Sequence, residues 1–250
     1  MKTSELRDYL DALLRTAEIS DYPNAFNGLQ LDNRGEVTRV VAAVDACEAV
    51  IEQAVAASAD LLLVHHGFLW GGAQRIEGAL FRKLQRALAA GLAIYSSHLP
   101  LDAHPEFGNN AQLAHAIGLT QRQPFLEKSG TPIGWKGELE LPREVLRERL
   151  AIAVGGPVHL APGGPELTRC VAVVTGGAGS EVAVVARAGV DTFITGEGPH
   201  ASYVTAEEVG VNLFYAGHYA TETFGVKALA AHLEQRFGLP WSFLDHPTGL

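Results

Sequence analysis

EVTRVVAAV, residues 36–44, returns 130 residues later as ELTRCVAVV, residues 166–174, with Glu36, Thr38, Arg39, Val41, Ala42 and Val44 repeated as Glu166, Thr168, Arg169, Val171, Ala172 and Val174. Each copy is an apolar run of strand length. Each leads into a helical stretch, CEAVIEQAVAASA in the first half and GSEVAVVARAGV in the second, and then into an aspartate with a second apolar run, Asp60-LLLV or Asp191-TFIT. Strand, helix, strand in both halves is the βαβ pattern of a parallel sheet, because parallel strands need a long crossover between them. The fold class that follows is α/β, with two similar α/β lobes related by internal duplication.

The correspondence extends past a second helix. After FRKLQRALAAG comes LAIYSSHLPLD, and after ASYVTAEEVG comes VNLFYAGHYATE; aligning Tyr95 with Tyr215 pairs His98 with His218 and Asp102 with Glu222, all 120 residues apart. Each half thus ends a strand with His-x-x-x-acid. Behind these lie GNNAQLAHAIGL and GVKALAAHLEQRFGL, both helical with a glycine stop. The opening helix TSELRDYLDALL matches REVLRERLAIAV, and the turn-rich EKSGTPIG puts a boundary near Gly130, giving lobes 1–128 and 129–250.

Composition narrows the function classes. The 250 residues carry a formal charge of −9 and no Lys/Arg-rich run, which argues against a nucleic-acid partner, since phosphate binding needs a basic surface. MKTSELRDYLDALLRT has charges throughout, and no apolar run reaches the length of a membrane span, so a cytoplasmic chain without membrane contact is expected. Cys47 and Cys170 lie in apolar segments without a metal-ligand pattern and read as small buried hydrophobes.

The chemistry gathers at strand ends: His65-His66 in LLLVHHGFLW, His98 with Asp102, Glu197 with His200, and His218 with Glu222. Imidazoles mixed with carboxylates suit zinc, manganese, iron, cobalt or nickel, whereas calcium or magnesium would call for mostly oxygen. GHYATE as a helical turn stacks His218 over Glu222 on one face. Pro100 disfavours the helical region for Leu99, so HLPLD reads as a turn. Neighbouring strand residues point to opposite faces, so His65 and His66 suggest two ions rather than one, with Glu222 able to bridge them. Glu197 and His200 read as outer partners or as loop lining. His104, His115, His159, His232 and His246 are expected to have no such role, with His115 and His232 in exposed or capping positions. TGGAGS, lacking G-x-G-x-x-G and a Walker lysine, reads as a tight strand-to-helix turn.

With ISDYPNAFNGLQL, VHHGFLW, SSHLPLDAHPEFGNNAQLA, DTFITGE and YAGHYATE in order along nearly the whole chain, the sequence resembles the Nif-three-like dinuclear metal-centre family, whose members carry the label GTP cyclohydrolase I type 2 homolog. The resemblance implies two α/β lobes with a metal site between them, a toroidal homohexamer, and two divalent ions per subunit. Carried over position by position, His65 and His218 would hold one ion, His66 and Asp102 the other, and Glu222 would bridge both. The expected function is a dinuclear metal-dependent hydrolase of a small, nucleotide-like substrate, with Glu222 and His98 as catalytic candidates. The competing reading is a non-catalytic metal-binding or regulatory ring-forming protein.

Overall fold

Each copy of the repeated stretch forms the first parallel strand of its own sheet. The computed structural model describes residues 1–70, 72 and 74–250, and the chain divides into two units, Met1–Phe107 with Gly225–His246 and Gly108–Phe224 with Pro247–Leu250. The first unit runs α1 (Thr3–Leu13), β1 (Gly28–Leu31), β2 (Val40–Asp45), α2 (Glu48–Ala56), β3 (Leu61–His66), α3 (Gly78–Ala90), β4 (Ala93–Ser96) and α4 (Leu99–Asp102). The second runs α5 (Asn109–Ala116), β5 (Thr120–Lys128), β6 (Thr131–Pro142), α6 (Arg143–Val154), β7 (His159–Pro162), β8 (Leu167–Val173), α7 (Val182–Arg187), β9 (Thr192–Thr195), α8 (His200–Val209) and β10 (Asn212–Tyr215). Helix α9 (His218–Phe237) starts in the second unit and ends in the first, whose sheet is completed by β11 (Trp241–Phe243).

The first sheet has the order β1-β4-β3-β2-β11 and the second β5-β6-β8-β9-β10-β7. At the centre of each are three parallel strands, β2-β3-β4 and β8-β9-β10, with an antiparallel strand (β1 or β7) beside the third. The succession α1-β1-β2-α2-β3-α3-β4 matches α6-β7-β8-α7-β9-α8-β10, so the duplication read from the sequence is a duplication of topology.

The identities in the repeat have a physical cause. Asp60, which precedes β3, accepts hydrogen bonds from the Thr38 and Arg39 amides (2.7 and 3.0 Å) and from the Thr38 hydroxyl (2.6 Å). Asp191, which precedes β9, accepts the Arg169 and Cys170 amides (3.1 and 2.9 Å). In each half the aspartate just before the second strand accepts amides at or near the start of the first.

Both sheets are covered on both faces, which is why their strands read as continuous apolar runs. Val40, Ala42, Leu61 and Leu63 pack with Leu6 and Leu10 of α1 and Leu229 and Leu233 of α9, while Val41, Ala43, Leu62 and Val64 pack with Val50, Ile51 and Ala87 of α2 and α3. In the second unit Val171, Val173 and Ile194 meet α5 and α6 through Leu113, Leu146 and Leu150, and Ala172, Val174 and Phe193 meet α7 and α8 through Val182, Val185 and Ala206. No helix among the described residues is long and apolar enough to cross a membrane.

Three local expectations are corrected. The boundary at 128/129 falls inside a hairpin: β5 and β6 pair antiparallel around Ser129 and Gly130, both at positive φ, so EKSGTPIG is a turn within the second unit and α5 belongs to that unit. HLPLD is a four-residue helix, because Pro100 sits in its first turn, where a missing N–H costs no helical bond. Cys47 and Cys170 are half-buried rather than buried, Cys47 standing at the N-cap of α2 and Cys170 on β8.

Candidate metal centre

In the first unit, four sequence-selected residues come together at the C-terminal ends of β3 and β4. His65 is fully buried and its Nδ1 lies 2.9 Å from the Ser97 carbonyl oxygen. His66 turns its Nδ1 to Asp45 at 2.8 Å, its register partner across β2 and β3. His98 turns its Nδ1 to Asp21 at 2.9 Å. A carbonyl or ionised carboxylate can only accept, so each of these rings carries its proton on Nδ1 and presents Nε2 as a ligand atom. The ring centroids stand 4.8 Å (His65–His66), 5.0 Å (His65–His98) and 5.6 Å (His66–His98) apart, and one nitrogen from each lies within 4.8 Å of the others. Asp102 Oδ2 is 3.6 Å from His65 Nε2.

Strand alternation does not separate the two rings: ligand atoms of His65 and His66 lie within 4.8 Å of each other. The two rings are anchored to neighbours on opposite sides of β3: His66 to the end of β2, His65 to the residue following β4. At the end of a strand these anchors, and not the pleat, set where Nε2 points.

The second unit carries His218 and Glu222 on the first turns of α9, with His218 Nε2 3.1 Å from Glu222 Oε1 and Nδ1 2.7 Å from Glu197 Oε1. The hydrogen bond to Glu222 is the largest influence on His218, burial opposes it, and Glu197 adds to it; together they raise the imidazole to about 9. Glu222 is buried at 3% exposure, and Gly176 lies against it with φ +69°; a side chain there would run into the carboxylate. Gly196 meets the backbone of Gly176, His218 and Gly217 as closely. Gly176 thus lets the TGGAGS turn approach the Glu222 carboxylate, and Gly196 lets the turn after β9 pack against the Gly176, Gly217 and His218 backbone.

Glu197 both accepts from His218 Nδ1 and lines the neighbouring loop. His200 instead lines a cavity of ≈ 460 Å³ with His159, Tyr203, Tyr215, Pro199 and Glu197. His232 is neither exposed nor a cap: it hydrogen-bonds Tyr9 and packs against Phe107. Asp21, Asp45 and the Ser97 carbonyl were not legible as partners. Asp45 could have been found by aligning the ends of β2 and β3 as parallel neighbours; Asp21 has no local signal, since it reaches His98 from 77 residues away.

The residues fit a borderline divalent cation. Metal-ligating histidines characteristically donate their second nitrogen to a carboxylate or carbonyl, and His65, His66, His98 and His218 all do so.

Fold and donor chemistry together define a two-unit α/β protein with imidazole–carboxylate clusters at its strand ends. The chain belongs to the Duf34/NIF3 (NGG1p interacting factor 3) family, whose model it matches over residues 1–248. It is 43% identical over 252 residues to a Deinococcus radiodurans protein named GTP cyclohydrolase 1 type 2 homolog, covering 98% of this chain and 94% of that one. A protein of the same name from Escherichia coli is 39% identical, covering 99% of each. A crystal structure from Thermus thermophilus superposes with a TM-score of 0.92 at 41% identity over 100% of both chains.

Proposed function

We propose that the chain is a dinuclear divalent-metal-dependent hydrolase acting on a small, nucleotide-like substrate, of the kind named in its relatives as GTP cyclohydrolase 1 type 2 homolog. The observation that carries this reading is a shared orientation: four imidazoles whose Nδ1 atoms are held by oxygen acceptors and whose Nε2 atoms face other ligand-type groups. In this reading His65 and His218 would hold one ion and His66 and Asp102 the other, with Glu222 available to both. Bound divalent ions supply Lewis acidity, polarising a water and the group it attacks at neutral pH. The chain's own residues do the rest. Ser97, Asp45 and Glu197 orient the imidazoles, and His98 is placed to accept a proton. The cavity beside Glu197, walled by His159, Tyr203 and Tyr215, offers flat faces to a planar heterocycle.

Self-association as a toroidal homohexamer belongs to the same proposal. Its support is the resemblance together with exposed apolar side chains on the first unit, Phe26, Ile76, Phe81 and Leu88, with Phe26 and Ile76 on the rim of one groove. Light scattering on the full chain tests it, with a hexamer expected and a monomer contradicting it.

The test of function is metal analysis followed by a hydrolase substrate panel, comparing wild type with Glu222→Ala. Metal-dependent turnover lost in the variant is expected. Metal uptake with no turnover on any substrate would favour the competing reading, a non-catalytic metal-binding or regulatory protein.

A further inference from the structure

Asp21 lies in the loop between α1 and β1, outside every repeat, yet its side chain is only 5% exposed. Donors surround it. Oδ1 accepts the Tyr22 amide at 2.7 Å, and Oδ2 accepts Asn27 Nδ2 at 2.8 Å and the Leu99 amide at 3.0 Å. His98 Nδ1 lies 2.9 and 3.1 Å from the two oxygens. Asn27 completes the clamp by accepting the His98 amide at 2.7 Å through Oδ1. Burial works against the charge, but the His98 hydrogen bond and the other donors more than offset it, holding the carboxyl at about 2.

Two features set His98 apart from the other imidazoles. Its Nδ1 faces a carboxylate already held by three further donors, so no rotation or tautomer change satisfies the pair as well as the one present. Its ring also touches both the His65–His66 pair and two exposed aromatic rings, Trp70 at 4.9 Å edge-on and Tyr22 at 5.7 Å.

We propose that Asp21 is a positioning residue that acts through His98: with Asn27 it locks His98 as the Nδ1–H tautomer, so that Nε2 takes the proton of the attacking water. The step balances simply. The water O–H bond breaks, its proton forms an N–H bond at Nε2, the oxygen's electron pair forms a bond to an electrophilic C=N or C=O carbon of the substrate, the π pair of that group moves onto its own heteroatom, and Asp21 offsets the imidazolium charge. The proposal rests on the hydrolase reading for its chemistry, but the tautomer lock can be read without turnover.

The experiment uses full-length protein with ring-15N histidine, with and without zinc, and long-range proton–nitrogen correlation spectra in which His98→Gln identifies the resonance. Wild type is expected to show His98 as a single Nδ1–H tautomer. Asp21→Asn places an amide donor against existing donors, so a mixed or Nε2–H population is expected there, with zinc content unchanged. On any substrate the wild type hydrolyses, kcat is expected to fall at least tenfold in Asp21→Asn while KM holds. An Nε2–H tautomer in wild type overturns the proposal, and this reading stands even if the variant does not fold. Loss of zinc in proportion to kcat also overturns it, assigning Asp21 a structural role. Absence of turnover in wild type with the Nδ1–H tautomer present fails the hydrolase reading and, with it, the proton-transfer step, while leaving the tautomer lock established.

Discussion

The two units end their third parallel strand with the same pattern, His-x-x-x-acid, and use it differently. In the second unit His218 begins a 20-residue helix, and its Nε2 meets the acid of its own turn at 3.1 Å. In the first unit His98 caps a four-residue helix and turns its Nδ1 to Asp21, while Asp102 lies beside His65, an imidazole from the neighbouring strand. Duplication preserved the backbone plan and redistributed the roles. A glutamate reaches back along its own helix, whereas the shorter aspartate lies against His65 of β3. The difference teaches that repeat pairing predicts where a polar side chain sits, not which partner it holds.

The comparison can be broken most severely at Glu222. As the group proposed to bridge both ions, its replacement by alanine is expected to weaken divalent-ion binding by more than the ~10–100-fold typical of losing an outer partner. Calorimetric titration with zinc or manganese measures this, and a variant that binds as tightly as wild type would remove Glu222 from the site. Asp45→Asn and Glu197→Gln sharpen the same contrast one layer out, each disturbing one pinned imidazole, His66 or His218. Each is expected to cost about 10–100-fold in affinity while leaving the fold intact.

A pH dependence separates the units further. In the metal-free protein His218 is raised to about 9 from an ordinary 6.5, so its pairing stabilises the second unit fully below about 6.5. That contribution is lost as pH rises through about 9. The unfolding temperature of metal-free protein should therefore fall between pH 6.5 and 9.5, and Glu222→Gln should flatten the decline. Because this proton and a cation compete for the same nitrogen, ion uptake near pH 7 should release protons, read as buffer-dependent heat.

The smallest effects belong to what the two units share. Asp60→Ala and Asp191→Ala each leave strand-start amides without their carboxylate, and each should cost about 1–2 kcal/mol in denaturant unfolding. Markedly unequal losses would show that the clamp is not equivalent in the two halves.

The fold was legible wherever side-chain chemistry repeats at fixed spacing. The apolar strands, the aspartate before the second of each pair and the His218–Glu222 turn all declare themselves locally. What was not legible depends on distant chain. The hairpin at Ser129–Gly130 looks like a linker because turn residues serve both purposes, and α9 shows no break where it passes from one unit to the other. In the candidate site the ligand-type residues carry short-range signals, but the oxygens that fix their tautomers do not. Ser97 acts through its backbone, and Asp21 sits in an irregular loop, where periodicity says nothing.

The central proposal is that imidazoles and carboxylates from both halves of the chain would hold one pair of cations. Anomalous diffraction from crystals grown with zinc or manganese tests it directly. The account predicts two peaks per chain roughly 3.5–4 Å apart, with Glu222 in contact with both, His65 and His218 on one, and His66 and Asp102 on the other. Ions held separately by the two units, or no ion at these residues at all, would contradict it.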